Sequence, residues 1–509
     1  MKGRFWLFCL MLPLGVHAET PLSAIDWLAE HSIKGSPKLS STPNLRENPA
    51  LSATVSTDIE VTVLRDIQRD AVGLLPPEVT GLPVTLWRNS TTQDLLSLLE
   101  ASQVSQNPSI QSLTMRVMLA EGDAPYDSNG KFNFLRAKLE KLIQYGAIDP
   151  ALAMLERAAP LPAPLVPILF DLSMYSEALE PACEQVLQLG AAFENDSARI
   201  YCLARRGEWQ SANIMLTTAE ALQSLTPRET AMLHFFLETG SEKISDLYFS
   251  ADSVPTPLEY RLYEAFGEPV PANNLPLAFS VAELSGDKGW KAQLEAAERL
   301  SKSGVFSDNQ LLGLLTKKPA PASGGIWNRV TMIQDLEQAL EANAPARISV
   351  ALRTVWSALG TSALATPIAR LFYKRLVEAN LLKQDLVLVH EMGLLTDHYQ
   401  DAAKALITRS RKHRLEVAVA LNRFTFFSPR NEFEQAILKA YKTPRIPYSV
   451  SNLLAQGKLG EVILNATLQF EKGSDGDLQD LIEALSTLRH IGLDDTARRA
   501  TLSLIKLGY

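Results

Sequence analysis

Met174-Tyr175-Ser176-Glu177-Ala178-Leu179 and Glu208-Trp209-Gln210-Ser211-Ala212-Asn213 stand 34 residues apart and share a pattern. Each places an aromatic residue three before an alanine, at the head of an apolar helical run. Small residues let two helices approach closely, and glycine turns the chain between them. The same logic surrounds the two hexapeptides. Gly146, Ala151 and Ala158 follow the spacing G-x4-A-x6-A, and Gly207, Ala212 and Ala219 repeat it. Together with Tyr175, Ala178 and Trp209, these residues are the expected packing positions of a helix-pair stack. Weaker echoes occur at Gly457, just ahead of Leu459, and at Gly492 to Ala497.

Working outward, nearly everything after Ser90 reads as helix. Apolar residues recur at i, i+3, i+4 and i+7, as in Leu135, Leu139, Leu142 and Ile143, and glycine, proline or a capping residue separates one run from the next. The expected fold class is all-α: a helix-pair solenoid or irregular α-superhelix behind an extended, partly disordered amino-terminal segment. The domain plan is a signal peptide over 1–18, an amphipathic patch with linker and extended segment over 19–90, and a helical block over 91–250. An irregular connector then fills 251–325, where prolines cluster, and a second helical block runs over 326–509. Within 19–90, Ile59 to Val63 alternates like a short strand. Ala71 to Trp87 holds three prolines and two glycines, so it is expected to lie extended on the first helices.

The 34-residue period with Gly146, Ala151, Ala158, Tyr175, Ala178, Gly207, Trp209, Ala212 and Ala219 resembles a degenerate tetratricopeptide repeat over about Phe132 to Gln223. The consensus first-helix Trp, Leu-Gly and Tyr do not recur, and no regular closing proline follows. The resemblance implies stacked helix pairs that offer a surface for a protein or peptide and carry no chemistry of their own. The wider layout resembles a family of bacterial envelope proteins of unknown function. The features that carry it are Ala24 to Leu28, a polar linker, Ala71 to Pro76, Gly81-Leu82-Pro83 and Trp87 before a helical body. Some members of that family bear an antifreeze-type label. Ice binding needs a regular threonine array, which this chain lacks, so the label is set aside.

The ends and cysteines bound the compartment. Lys2 and Arg4 precede an apolar run from Phe5 to Val16, and Val16-His17-Ala18 matches a cleavage site, so export with Glu19 as the new start is expected. No later stretch is apolar enough to span a membrane as a helix. Without Met1 to Ala18, which hold two of the 49 basic residues and none of the 57 acidic ones, the net charge is −10. That charge disfavours nucleic acid and anionic lipid as partners. Cys183 and Cys202 remain, placed nearly equidistant from a turn near Phe193 in an antiparallel helix pair. An oxidising periplasm favours their disulfide, the alternative being two buried thiols. Pro181 must either kink the first of these helices or sit in its opening turn.

No catalytic, metal or cofactor motif emerges. The histidines His31, His234, His390, His398, His413 and His490 form no zinc pattern. Asp127 to Gly130 lacks the remaining ligands of a calcium loop and reads as a turn, and Asp475-Gly476-Asp477 reads as a helix cap. Ser285 to Lys288 matches S-x-x-K without its partner motifs. Soluble lytic transglycosylases also join an export signal to a helical superhelix, but their catalytic glutamate sits in an added domain of mixed character that has no counterpart here. The expected function is that of a non-catalytic periplasmic scaffold or adaptor for a protein or peptide, with Ile25, Trp27 and Leu28 as a second contact or as a cap on the helical body. A cell-envelope enzyme acting on peptidoglycan is the alternative.

Overall fold

Several helix starts are set by short polar side chains. Thr91 accepts from the Asp94 amide ahead of Thr92–Ala101, and Asn107 accepts from Ser109 and Ile110 ahead of Pro108–Leu119. Thr256 with Glu259, and Ser307 with Gln310, form reciprocal capping boxes. Asp477 caps Leu478–His490 as expected. The computed structural model describes residues 68–176, 178–237, 254–409 and 412–508. Among these it contains 25 α-helices and no strand, which is the all-α fold expected. The signal-peptide reading, the Ile25, Trp27 and Leu28 patch and the Ile59 to Val63 strand lie outside the described residues.

Consecutive helices pack as neighbours: Asp196–Arg205 on Trp209–Ala221, Ile326–Glu341 on Pro345–Leu359, Ala365–Glu378 on Lys383–Gly393, and Leu459–Ser474 on Leu478–His490. Gly146 shows why a small residue is required at one turn. Its φ is +75°, and a Cβ there would lie 2.6 Å from the Leu300 side chain.

The chain also returns on itself. In a linear repeat array each unit touches only its neighbours. Here Pro257–Ala265 and Phe279–Ala282 pack on Val166–Tyr175, and the end of Trp290–Lys302 reaches the first helices. Gln111 donates to the Lys302 carbonyl at 2.6 Å, and Ser303 to the Tyr145 carbonyl at 3.0 Å. Further on, Asp494–Leu507 packs against Pro108–Leu119, and Leu459–Ser474 packs against both Thr92–Ala101 and Pro108–Leu119. Asn107 Nδ2 donates to the Ala500 carbonyl at 2.9 Å, and the Gly460 amide to the Leu86 carbonyl at 3.1 Å.

Ala71 to Trp87 lies against these helices as expected. The Leu74 and Leu75 amides both donate to the Leu119 carbonyl, and Pro77–Thr80 adds a single helical turn. Its last residue, Trp87, is fully buried. The indole meets Phe134 edge to face at 5.0 Å and is bracketed by two glycines. A Cβ on Gly122 would come within 3.2 Å of the ring, and one on Gly460 within 2.4 Å. Trp87 thus joins the early helices to Leu459–Ser474 through space that only hydrogen atoms occupy.

Candidate functional site

The helix Asp494–Leu507 opens with Asp494, Asp495, Arg498 and Arg499, and its neighbours converge on these charges. Arg489, at the end of the preceding helix, donates through Nε to Asp494 at 2.7 Å, and Arg498 pairs with the other oxygen of the same carboxylate. Burial pushes the Asp494 carboxyl upward, but the two guanidiniums more than offset it and hold it below the usual range. Asp495 accepts from the Tyr399 hydroxyl at 2.8 Å, and Arg499 pairs with Asp397 at 2.7 Å. Burial, with Asp495 adding to it, pushes the Tyr399 phenol up to about 12. Arg489 is locked further. Its Nη1 donates to the Ala440 and Tyr441 carbonyls at 3.0 and 2.8 Å, and its guanidinium lies 4.4 Å over the Tyr441 ring.

Beside this cluster opens a cavity of about 470 Å³ lined by Asn422, Pro444, Ile446, Arg489, His490 and Asp494. Asn422 reaches it because it ends Arg414–Leu421 in the left-handed conformation, φ +51°. Its Oδ1 accepts from Arg489 Nη2 at 3.4 Å.

At the other end of the same helix a second cluster is buried. His413 stands between Glu391, 2.7 Å from Nε2, and Glu416, 3.0 Å from Nδ1, with Lys506 3.4 Å from Glu416. The hydrogen bonds to Glu391 and then Glu416 raise the imidazole to about 9, against the opposing effects of burial and Lys506. The group ties Lys383–Gly393, Arg414–Leu421 and Asp494–Leu507 together. A third buried charge, Lys138, donates to the Val72 carbonyl and lies 5.2 Å over the Phe134 ring. Burial lowers it to about 8, Asp70 opposing.

The residues singled out from the sequence fall as follows. Ala151, Ala158, Ala212 and Ala219 are buried on helix faces, and Tyr175 packs edge to face on Phe279 at 5.0 Å. Ala178 is exposed, in the break between Val166–Tyr175 and Glu180–Leu189. The helix expected from Ser176 starts at Glu180 instead, with Pro181 in its opening turn, where a missing amide proton costs nothing. Gly207 occupies the turn at φ +84°, and Trp209 is half exposed at its helix start, 6.3 Å from Phe236. Cys183 and Cys202 are at disulfide distance, with Cα atoms 5.1 Å apart. Asp127 accepts from the Thr92 amide and hydroxyl. Lys288 pairs with Glu264 rather than with Ser285. His390 is buried and His398 exposed, with the Tyr373 ring 6.4 and 5.8 Å from them. Among the described residues no group of His, Cys, Asp and Glu is close enough to hold a metal ion. The clusters at Arg489–Asp494–Arg498 and His413 were missed. The only signal was the run Asp494-Asp495-x-x-Arg498-Arg499, which reads equally well as a solvated face. The chain matches no protein-family model, no curated protein and no solved structure.

Proposed function

We propose that this chain is a non-catalytic scaffold or adaptor of the bacterial periplasm that holds a protein or peptide on its helical surface. The observation that carries the reading is the use made of ionisable side chains. Arg228–Glu259, Arg329–Glu298, Arg370–Asp308, Arg375–Glu337 and Arg353–Asp385 are paired at 2.6 to 2.7 Å, each joining one helix or its edge to another. Such charge-assisted pairs tie one helix to another, which is structural work rather than chemistry on a substrate. Binding then falls to exposed side chains. Trp209–Ala221 buries one stripe, Ala212, Leu216 and Ala219, and leaves Trp209 and Ile214 exposed, with Leu222 just past its end. Tryptophan is enriched among the residues that dominate binding energy at interfaces.

The periplasmic part of the proposal rests on the amino-terminal export pattern and is supported by the Cys183–Cys202 pair, since oxidising compartments permit disulfides. No helix among the described residues is long and apolar enough to cross a membrane. The test places a photo-crosslinking residue at Ile214 in the full chain and, as control, at Val350 on a distant helix. A discrete adduct at Ile214 alone, kept or lost on deleting residues 19–60, is expected. No adduct at either position, together with release of soluble fragments from purified peptidoglycan, overturns the reading in favour of an envelope enzyme.

A further inference from the structure

The chain as a whole carries a net charge of −8, yet residues 409–448 hold nine Lys or Arg against three Asp or Glu, a net of +6. Of the three carboxylates, Glu416 is buried beside His413, and Glu434 accepts from the Arg430 amide at 2.8 Å. Arg423, Arg430, Lys439, Lys442 and Arg445 are exposed, and none of them forms an ion pair among the described residues. They differ in this from Arg228, Arg329, Arg370 and Arg375, each engaged on a carboxylate of another helix or its edge. Exposed charges are screened beyond about 8 Å at physiological ionic strength, so a partner at this surface meets the local field and not the average of the chain.

The same stretch holds Phe426, 95% exposed, and Tyr448, 87% exposed, the two most exposed large apolar side chains among the described residues. The fold brings their connections together. Phe424, two residues before Phe426, packs on Tyr441 with ring centroids 5.3 Å apart. Ile446, two residues before Tyr448, lines the same cavity as Asn422, from which the connection to Phe426 departs. Arg414 lies 5.4 Å over the Phe427 ring and donates to the Ser428 carbonyl at 3.4 Å, so this connection is held while the Phe426 ring stands in solvent. Bare aromatic rings set among unpaired cations are the two halves of a membrane-surface contact: rings favour the headgroup layer, and basic clusters of this size are drawn to anionic leaflets.

We propose that this face docks on a membrane surface of anionic phospholipids, with Phe426 and Tyr448 entering the headgroup layer and the five cations meeting the phosphates. Rings on two separate connections suit entry into a fluid layer, whereas a nucleic-acid strand calls for a groove in which successive bases stack. The net negative charge of the chain does not oppose this, because the acidic surface elsewhere lies beyond the screening distance. The proposal goes beyond the adaptor reading, which concerns Trp209–Ala221, and does not depend on it.

The experiment is vesicle co-sedimentation of the chain from Glu19 onward, so that the apolar run Phe5 to Val16 plays no part. The vesicles are phosphatidylethanolamine with phosphatidylglycerol, or phosphatidylcholine alone, and a single-stranded oligonucleotide is titrated in parallel. Binding to the anionic vesicles is expected to exceed binding to the neutral ones by at least about tenfold and to weaken as salt is raised. Arg423→Gln combined with Arg445→Gln is expected to weaken it by about tenfold or more, and Phe426→Ser combined with Tyr448→Ser severalfold. All four side chains are exposed, so circular dichroism and the urea midpoint should not change. Absence of binding, equal binding to both vesicles, or tighter binding of the oligonucleotide overturns the membrane contact. Binding that survives both double variants also overturns it, and points instead to Ile25, Trp27 and Leu28. The crosslink at Ile214 reads a different helix, so failure here leaves the adaptor test standing.

Discussion

Gly460→Ala tests the closure directly, because its sign depends on a single neighbour. In an unobstructed helix the change reduces the freedom of the unfolded chain and stabilises by about 0.5–1 kcal/mol. Here the added Cβ would sit 2.4 Å from the Trp87 ring and 2.9 Å from the Leu86 carbonyl, distances that real Cβ contacts do not reach. The indole has nowhere to move, with Phe134 on one side and Gly122 on another. Overpacking of this kind costs about 1–3 kcal/mol, so the net expectation is a loss of roughly 1–2 kcal/mol. Trp87→Phe removes the ring atoms that collide and also a buried indole N–H that has no acceptor, so its own cost is expected to fall below the roughly 3–5 kcal/mol of a Trp→Ala change. In the Trp87→Phe background Gly460→Ala is expected to be neutral or stabilising, a coupling of at least about 1 kcal/mol. Urea midpoints of the four proteins, followed by helical circular dichroism, decide it. Additive costs, with Gly460→Ala equally damaging whether or not the indole is present, would refute the contact.

Three further outcomes follow from the buried groups. His413, raised to about 9 from an ordinary 6.5, contributes stability that is complete below 6.5 and lost as pH rises through 9, while lowered Glu391 and Glu416 lose theirs as pH falls below the ordinary carboxylate range. The difference in unfolding free energy between the native chain and His413→Gln should therefore shrink from pH 6 to pH 9.5 by an amount on the order of 3 kcal/mol, and a pH-independent difference would contradict the ion cluster. A bridge between Cys183 and Cys202, 19 residues apart, closes a loop worth about 3 kcal/mol of unfolded-state entropy, so Cys202→Ala should lower the urea midpoint and the unfolded, unreduced native chain should yield no free thiol from this pair. Lys138→Met keeps the stem that lies on Phe134 and removes a charge disfavoured by burial, and it should change stability by less than about 1 kcal/mol at pH 7; a loss above about 3 kcal/mol would mean that the Asp70 and Val72 contacts outweigh the desolvation.

The helices were legible because each carries its own period. Leu135, Leu139 and Leu142 lie on one buried stripe, and Ala212 and Ala219 on another, whatever stands opposite. Boundaries were less so at prolines: Pro181 fits a kink or a first turn equally, and only the packing of Glu180–Leu189 selects the turn. What packs on a stripe is not encoded in the stripe. The Asn107 bond to Ala500 spans 393 positions, and the glycine that admits Trp87 lies in a helix whose sequence shows only a small residue near its start. The cavity was invisible for the same reason, since Asn422 and His490 stand at the ends of two helices and Pro444 in a connection, with no common spacing, and His490 alone reads as an ordinary helix-end residue.

The contact between Pro108–Leu119 and Asp494–Leu507 also imposes an order of events in time. Ribosomes add roughly 5–20 residues per second. The 393 positions from Asn107 to Ala500 therefore represent about 20–80 seconds of synthesis, during which Ile110, Leu113 and Val117 exist without the helix that packs on theirs. Helix pairs form in far less time, so local structure is waiting long before its lid arrives. A partner that recognises apolar helix faces has its opportunity in that interval, and a chain cut short before Asp494 would carry the exposed face permanently.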